Sequence, residues 1–150
     1  MFRLSSAIKP ALLMLFCVLF ITSAVRVNAQ STPTSKLTVQ VTGLRNANGQ
    51  IRLSLYRDSN FVEERQFQID AKSLVAKTVF DKLPRATYAV YLFQDENMNG
   101  KMDTSFFGIP KEGYGASNNP HKRAGKPGFD ETNFPLNTPD TTLEISMIYW

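Results

Sequence analysis

The chain has 150 residues, with 17 Lys and Arg against 13 Asp and Glu, a formal net charge of +4, one Cys and one His. That length suits one domain, and 43% hydrophobic content excludes a disordered chain. A single cysteine excludes an internal disulfide and a multi-cysteine zinc site, and a single histidine excludes any site that needs two.

Residues 1–29 read as a secretory signal peptide. Arg3 and Lys9 supply a positive start, Ala11 to Ala24 is nearly all apolar, and Val27-Asn28-Ala29 forms a cleavage site before Gln30. The apolar run of 14 residues is shorter than the ~20 that span a bilayer, which argues against an uncleaved anchor helix. Cys17 lies inside that run after Phe16, not after the small residue that a lipoprotein signal requires. Cleavage removes Arg3, Lys9 and Arg26 and no acid. The 17 basic residues become 14 against 13 acidic, net +1, and no cysteine remains. Subtracting 29 from 150 leaves 121 residues, enough for one modest core. No transmembrane segment is expected after cleavage, and nucleic acid is disfavoured as a partner at so low a charge.

Residues 30–36 form a polar leader. Leu37, Val39 and Val41 then alternate with polar residues, which predicts a half-buried strand. Ile51, Leu53 and Leu55 predict a second, and the intervening Asn48-Gly49 favours pairing the two as a hairpin. Asp58-Ser59-Asn60 predicts a cap for one helical turn through Arg65, with Glu63 and Glu64 on its surface. Residues 73–80 read as a strand. Tyr88 to Phe93, apolar on both faces, predicts a central strand, with Tyr88, Tyr91 and Phe93 explained by core packing. Thr104 to Ile109 is a short strand candidate. Residues 108–140, rich in Gly and Pro, are too long for an ordinary connection and read either as an ordered functional loop or as a stretch that holds short edge strands. Leu143, Ile145, Met147 and Tyr149 alternate in a terminal strand. The fold class is all-β: one antiparallel sandwich of about seven strands over residues 37–150, immunoglobulin-like or transthyretin-like.

The run Phe80-Asp-Lys-Leu-Pro-Arg-Ala-Thr-Tyr88 resembles the strand-turn-strand signature of transthyretin-like and carboxypeptidase-regulatory-like domains, with Ala86 where those domains usually have Gly. Asp95-Glu-Asn-Met-Asn-Gly-Lys-Met-Asp103, followed by Gly108-Ile-Pro-Lys-Glu-Gly-Tyr-Gly-Ala-Ser-Asn-Asn119, resembles an uncharacterised family of exported bacterial proteins, domain of unknown function 2141. That resemblance covers nearly all of residues 37–149. It implies an exported sandwich, periplasmic or secreted, and no catalytic residues.

Asp95, Asn97, Asn99, Gly100 and Asp103 fit D-x-[DN]-x-[DN]-G-x-x-D, the first nine positions of a calcium loop. Alternate residues aim side-chain oxygens at one point, Gly100 permits the sharp turn, and Lys101 would contribute its backbone carbonyl. The candidate metal ligands are therefore Asp95, Asn97, Asn99, Lys101 and Asp103. Position twelve is Phe106, not the bidentate Glu of an EF-hand. Glu96, Glu112 or Asp130 would have to supply a further acid. A polar hairpin turn that binds nothing is the competing explanation. Calcium is the only cofactor the residues suggest.

Tyr114, Asn118, Asn119, His121 and Arg123 form a candidate binding loop. Lys122, Arg123 and Lys126 make a small basic cluster near Tyr114 and Phe129, which could hold an anion or a glycan edge, with a solvated loop as the favoured reading. His121 would need a nucleophile and an orienting acid, and Ser117 and Asp130 carry no nucleophile motif. The C-terminal Ile-Tyr-Trp resembles the end of an outer-membrane barrel strand, but residues 94–142 lack the long alternating strands of a barrel. Trp150 is expected to cover one end of the sandwich. The expected function is a non-catalytic binding or structural module, with a protein or glycan ligand at the cell envelope. The alternative is a hydrolase or carbohydrate-active enzyme built on the 108–135 loop.

Overall fold

A computed structural model describes residues 32–120 and 125–150. The expected signal segment, residues 1–29, lies outside these residues, as do His121, Lys122 and Arg123. The described chain holds nine strands: β1 (Thr34–Thr42), β2 (Gln50–Arg57), β3 (Asn60–Phe67), β4 (Ile69–Asp70), β5 (Val75–Pro84), β6 (Ala86–Asp95), β7 (Tyr114–Ala116), β8 (Phe134–Leu136) and β9 (Asp140–Ser146). A single helical turn, α1 (Phe129–Thr132), precedes β8.

The strands form two sheets, not a closed barrel. One has the order β4-β5-β1-β9, and the other has the order β3-β2-β6-β7, with β8 also paired to β6. β7 meets β6 at Tyr91 to Phe93 and β8 meets it at Ala86 to Tyr88. The two short strands therefore share one edge of β6. This makes β6 central, as its two apolar faces predict.

The core lies between the sheets. Leu37, Val39 and Val41 of β1 face Ile51, Leu53 and Leu55 of β2, with Phe80, Tyr88, Val90, Leu92, Leu136 and Ile145 completing the layer. Each such side chain removed from water stabilises the fold by about 1.5–3 kcal/mol. The Tyr88 hydroxyl donates to the Pro84 carbonyl at 2.8 Å, so the one polar atom of this buried ring is satisfied where β5 crosses to β6. Among the described residues no helix is long and apolar enough to cross a membrane.

Four expectations need correction. β1 and β2 do not form a hairpin: β1 pairs with β5 and β9, and β2 pairs with β3 and β6. Gly49 serves the crossing between sheets instead, with φ +69 and so close to Asp95 that a Cβ would lie 1.8 Å from its carbonyl oxygen. The expected helical turn at 58–65 is a strand. Asp58 and Ser59 both adopt positive φ, the conformation of a two-residue hairpin turn, and join β2 to β3. The sandwich is not wholly antiparallel, since β9 runs parallel to β1. The expected strand at 104–109 is absent, and only Thr104 is bridged there, to Pro110; within 108–140, β7 and β8 are the short strands of the second reading, joined by α1.

Candidate functional site

Two neighbouring features stand out, the loop at 95–103 and a cleft on the outer face of the second sheet. The loop begins where β6 ends, at the fully buried Asp95. Its Oδ1 accepts the Asn99 N–H at 3.0 Å and its Oδ2 the Gly100 N–H at 2.9 Å. Asn97 Oδ1 accepts the Asn99 N–H at 3.1 Å, and Asn99 Oδ1 accepts the Lys101 N–H at 2.8 Å. Each short side chain thus reaches forward to the backbone, which is how Asp and Asn build turns. The Asp103 carboxylate closes the ring, taking the amide hydrogens of Asn97 at 2.7 Å and Asn99 at 3.0 Å.

Glu112 anchors this loop from outside. It is 4% exposed, and its carboxylate accepts the backbone N–H of Glu96 at 2.9 Å and of Asp103 at 3.0 Å. Of the three acids considered as extra ligands, Glu112 alone turns its carboxylate to the loop backbone. Glu96 pairs with Arg45 at 2.6 Å, and Asp130 lies in α1. The oxygen donors of Asp95, Asn97, Asn99 and Asp103 suit a hard cation in kind. The charge is modest, for no group of three His, Cys, Asp or Glu side chains able to hold a metal occurs among the described residues.

The conspicuous motif at 108–119 acts as a set of fasteners. A Cβ on Gly113 would lie 2.3 Å from the Tyr149 ring, and one on Gly115 would lie 2.7 Å from Ile145. Both glycines let the chain pass close beneath the C-terminal segment. The buried Ser117 hydroxyl accepts the Val90 N–H at 2.9 Å and donates to the Thr132 carbonyl. It is therefore engaged in the framework. Asn118 donates to the Asn133 carbonyl at 2.8 Å. Asn119 donates to the Glu144 carbonyl at 3.1 Å and accepts the Ser146 N–H at 2.8 Å, extending the edge of β9 with a side chain. Of the expected binding loop, Asn118 is thus structural. Tyr114 and Asn119 border the cleft, and His121 and Arg123 lie outside the described residues.

The cleft encloses about 580 Å³, within the ~300–1,000 Å³ of small-molecule sites. Its floor is the outward face of β2 and β6, with Arg52, Ser54, Tyr91 and Phe93. Tyr91 and Phe93 are therefore not core residues. They alternate with the buried Val90, Leu92 and Gln94 and point the other way. One wall is the 102–110 segment. At its tip Gly108 N–H bonds to the Ser105 carbonyl at 3.0 Å, which leaves Phe106 97% and Phe107 85% exposed. Facing it stand Asn119 and Pro120, and Gly125, Lys126 and Pro127. Trp150, expected to cap the sandwich, stands at this cleft and is 56% exposed, with its indole N–H donating to the Tyr114 hydroxyl at 3.0 Å.

Among the described residues Lys126 is the best-placed cation in the cleft. Its Nζ lies 4.0 Å from the centre of the Tyr91 ring and 5.0 Å from that of Tyr56. Tyr56 meets both Tyr91 and Phe61 edge to face. The Tyr91 hydroxyl is hydrogen-bonded to Thr132 at 2.9 Å, which fixes the ring. Tyr56 and Trp150 were not legible as site residues, and Lys126 was legible only as part of a basic cluster in a loop. Outward parity on β2 was the one available signal for Tyr56.

At the far end, Tyr149 links the loop to the core. Its hydroxyl donates to the buried Gln94, whose Nε2 donates to Asn46 and Asn48. Burial pushes the Tyr149 phenol above its ordinary pKa, with the nearby Arg45 opposing. Fold and site together define a class: a small two-sheet β-sandwich with a loop-walled, ligand-sized cleft on one outer face. The chain belongs to the family described as an uncharacterised protein conserved in bacteria, DUF2141, whose model matches residues 39–144. No curated protein and no solved structure matched the chain in the corresponding comparisons.

Proposed function

We propose that the mature chain is an exported, non-catalytic binding module whose ligand site is the cleft over β2 and β6. One observation carries this reading. Tyr91 and Phe93, on the outer face of the central strand, lie under two loop walls that leave about 580 Å³ between them. A largely apolar lining with a few polar groups is the usual make-up of a ligand site. The signal-like residues 1–29 support export, with the periplasm as the favoured compartment.

In this reading loop 95–103 is the buttress of the cleft. It runs directly into Met102, which lines the wall. Calcium, held by Asp95, Asn97, Asn99, the Lys101 carbonyl and Asp103, would stiffen that wall, with weak affinity of roughly 10⁻⁴ to 10⁻³ M as in extracellular modules. The all-oxygen donor set supports this assignment.

The test uses Trp150, the one tryptophan of the chain. Titration with octyl glucoside below its micelle concentration should shift Trp150 emission saturably. The variant Phe93→Ser should weaken that binding while melting like the parent. A linear, unsaturable response, or binding unchanged in Phe93→Ser, contradicts the assignment.

A further inference from the structure

We propose that the ligand of this cleft is a small amphiphile with an apolar body and a carboxylate head, the chemistry of a fatty acid, and that Lys126 receives the carboxylate. The inference rests on the cleft being the binding site and adds the charge and shape of what enters it. Two observations carry it.

The first is the sign of the lining. Among the described residues around the cleft the charged side chains are Arg52 and Lys126, and no Asp or Glu is among them. Arg52 is already neutralised by Glu64, and Asp95 lies 3.9 Å from it. Lys126 has no carboxylate within ion-pair distance among the described residues. Its partners are the faces of Tyr91 and Tyr56, which steady an ammonium without neutralising it. An unneutralised cation at the edge of an apolar cleft favours an anion and disfavours a cation.

The second is the nature of the remaining surface. Phe93, Phe107, Pro110, Ile148 and Trp150 offer apolar contact. A ligand that was charged throughout would leave these groups unmatched, and a neutral chain would leave Lys126 unmatched. An alkyl chain ending in a carboxylate matches both. The carboxylate would accept charge-assisted N–H bonds from Nζ, about twice as strong as neutral ones.

Three probes of one chain length separate these statements: decanoate, decanol and decyltrimethylammonium, each below its micelle or solubility limit and read by Trp150 emission. Decanoate should bind at least tenfold more tightly than the other two. In Lys126→Gln that advantage should vanish, and in Lys126→Arg it should persist. Equal affinity for all three probes, or a preference that survives in Lys126→Gln, overturns the inference and leaves the cleft assignment standing. Failure of all three to bind saturably overturns both.

Discussion

The carboxylate of Glu112 accepts the backbone N–H of Asp103 at 3.0 Å, and its second oxygen holds Glu96 at 2.9 Å. One buried side chain thus clamps both ends of the 95–103 loop and fixes the start of the cleft wall that follows. Removing the acceptor leaves two backbone donors short of partners. Glu112→Ala should cost about 2–4 kcal/mol, from ~1–2 for each donor left unpaired. Chemical denaturation gives the global loss, and limited proteolysis should show new cleavage within 96–104. A variant with parental stability would mean that the clamp contributes nothing.

Gly49 and Gly108 make a matched pair, since both have positive φ. A Cβ on Gly49 would lie 1.8 Å from the Asp95 carbonyl oxygen, whereas one on Gly108 would meet nothing within 4 Å. Gly108→Ala should therefore cost only the conformational penalty of about 1 kcal/mol. Gly49→Ala adds a backbone collision and should cost more than ~3 kcal/mol or prevent folding. Thermal melts of the two variants check this, and equal costs would contradict it.

Burial pushes the phenols of Tyr88 and Tyr149 above the ordinary value of 10.0. The folded chain then holds these protons at a pH where the unfolded chain has released them. By linkage this contribution to stability is full below about pH 10 and falls as pH rises through the folded values. Absorbance titration of the five tyrosines should show two that ionise late, and Tyr149→Phe should remove one of them. A single common tyrosine titration would contradict the assignment.

If calcium binds loop 95–103 with a Kd of about 1 mM, 10 mM calcium should stabilise the fold by about 1.4 kcal/mol, a melting shift of several degrees. Asp103→Ala should abolish the shift. It should also make residues 108–120 easier to cleave in calcium buffer. Superimposable melts in calcium and in chelator would remove the ion from the proposed function.

These features were legible in the sequence to different depths. Alternation in Leu37-Val41, Ile51-Leu55 and Leu143-Ile145 identified strands and their buried faces. It could not say that β1 and β2 belong to opposite sheets, because alternation marks a face and not a partner. The Asp58-Ser59 turn was misread because both residues also cap helices. β7 and β8 are three residues long, too short to show a period. The spacing from Asp95 to Asp103 marked a closed polar loop from local chemistry alone. The roles of Ser117, Asn118 and Asn119 depend on partners 15 to 27 residues away, and no local pattern encodes those. The cleft was hidden for a related reason. Tyr91 and Phe93 look like core in an apolar run, and only the fold shows that they face outward.

The most direct test of the cleft is a map of nuclear magnetic resonance shifts as decanoate is added to the folded chain. The expected result is saturable change concentrated at Tyr91, Phe93, Tyr114, Lys126 and the Trp150 indole, with β1 and β5 unmoved. Saturable binding that shifts other residues and leaves these five unchanged would contradict the assignment of the cleft as the binding site.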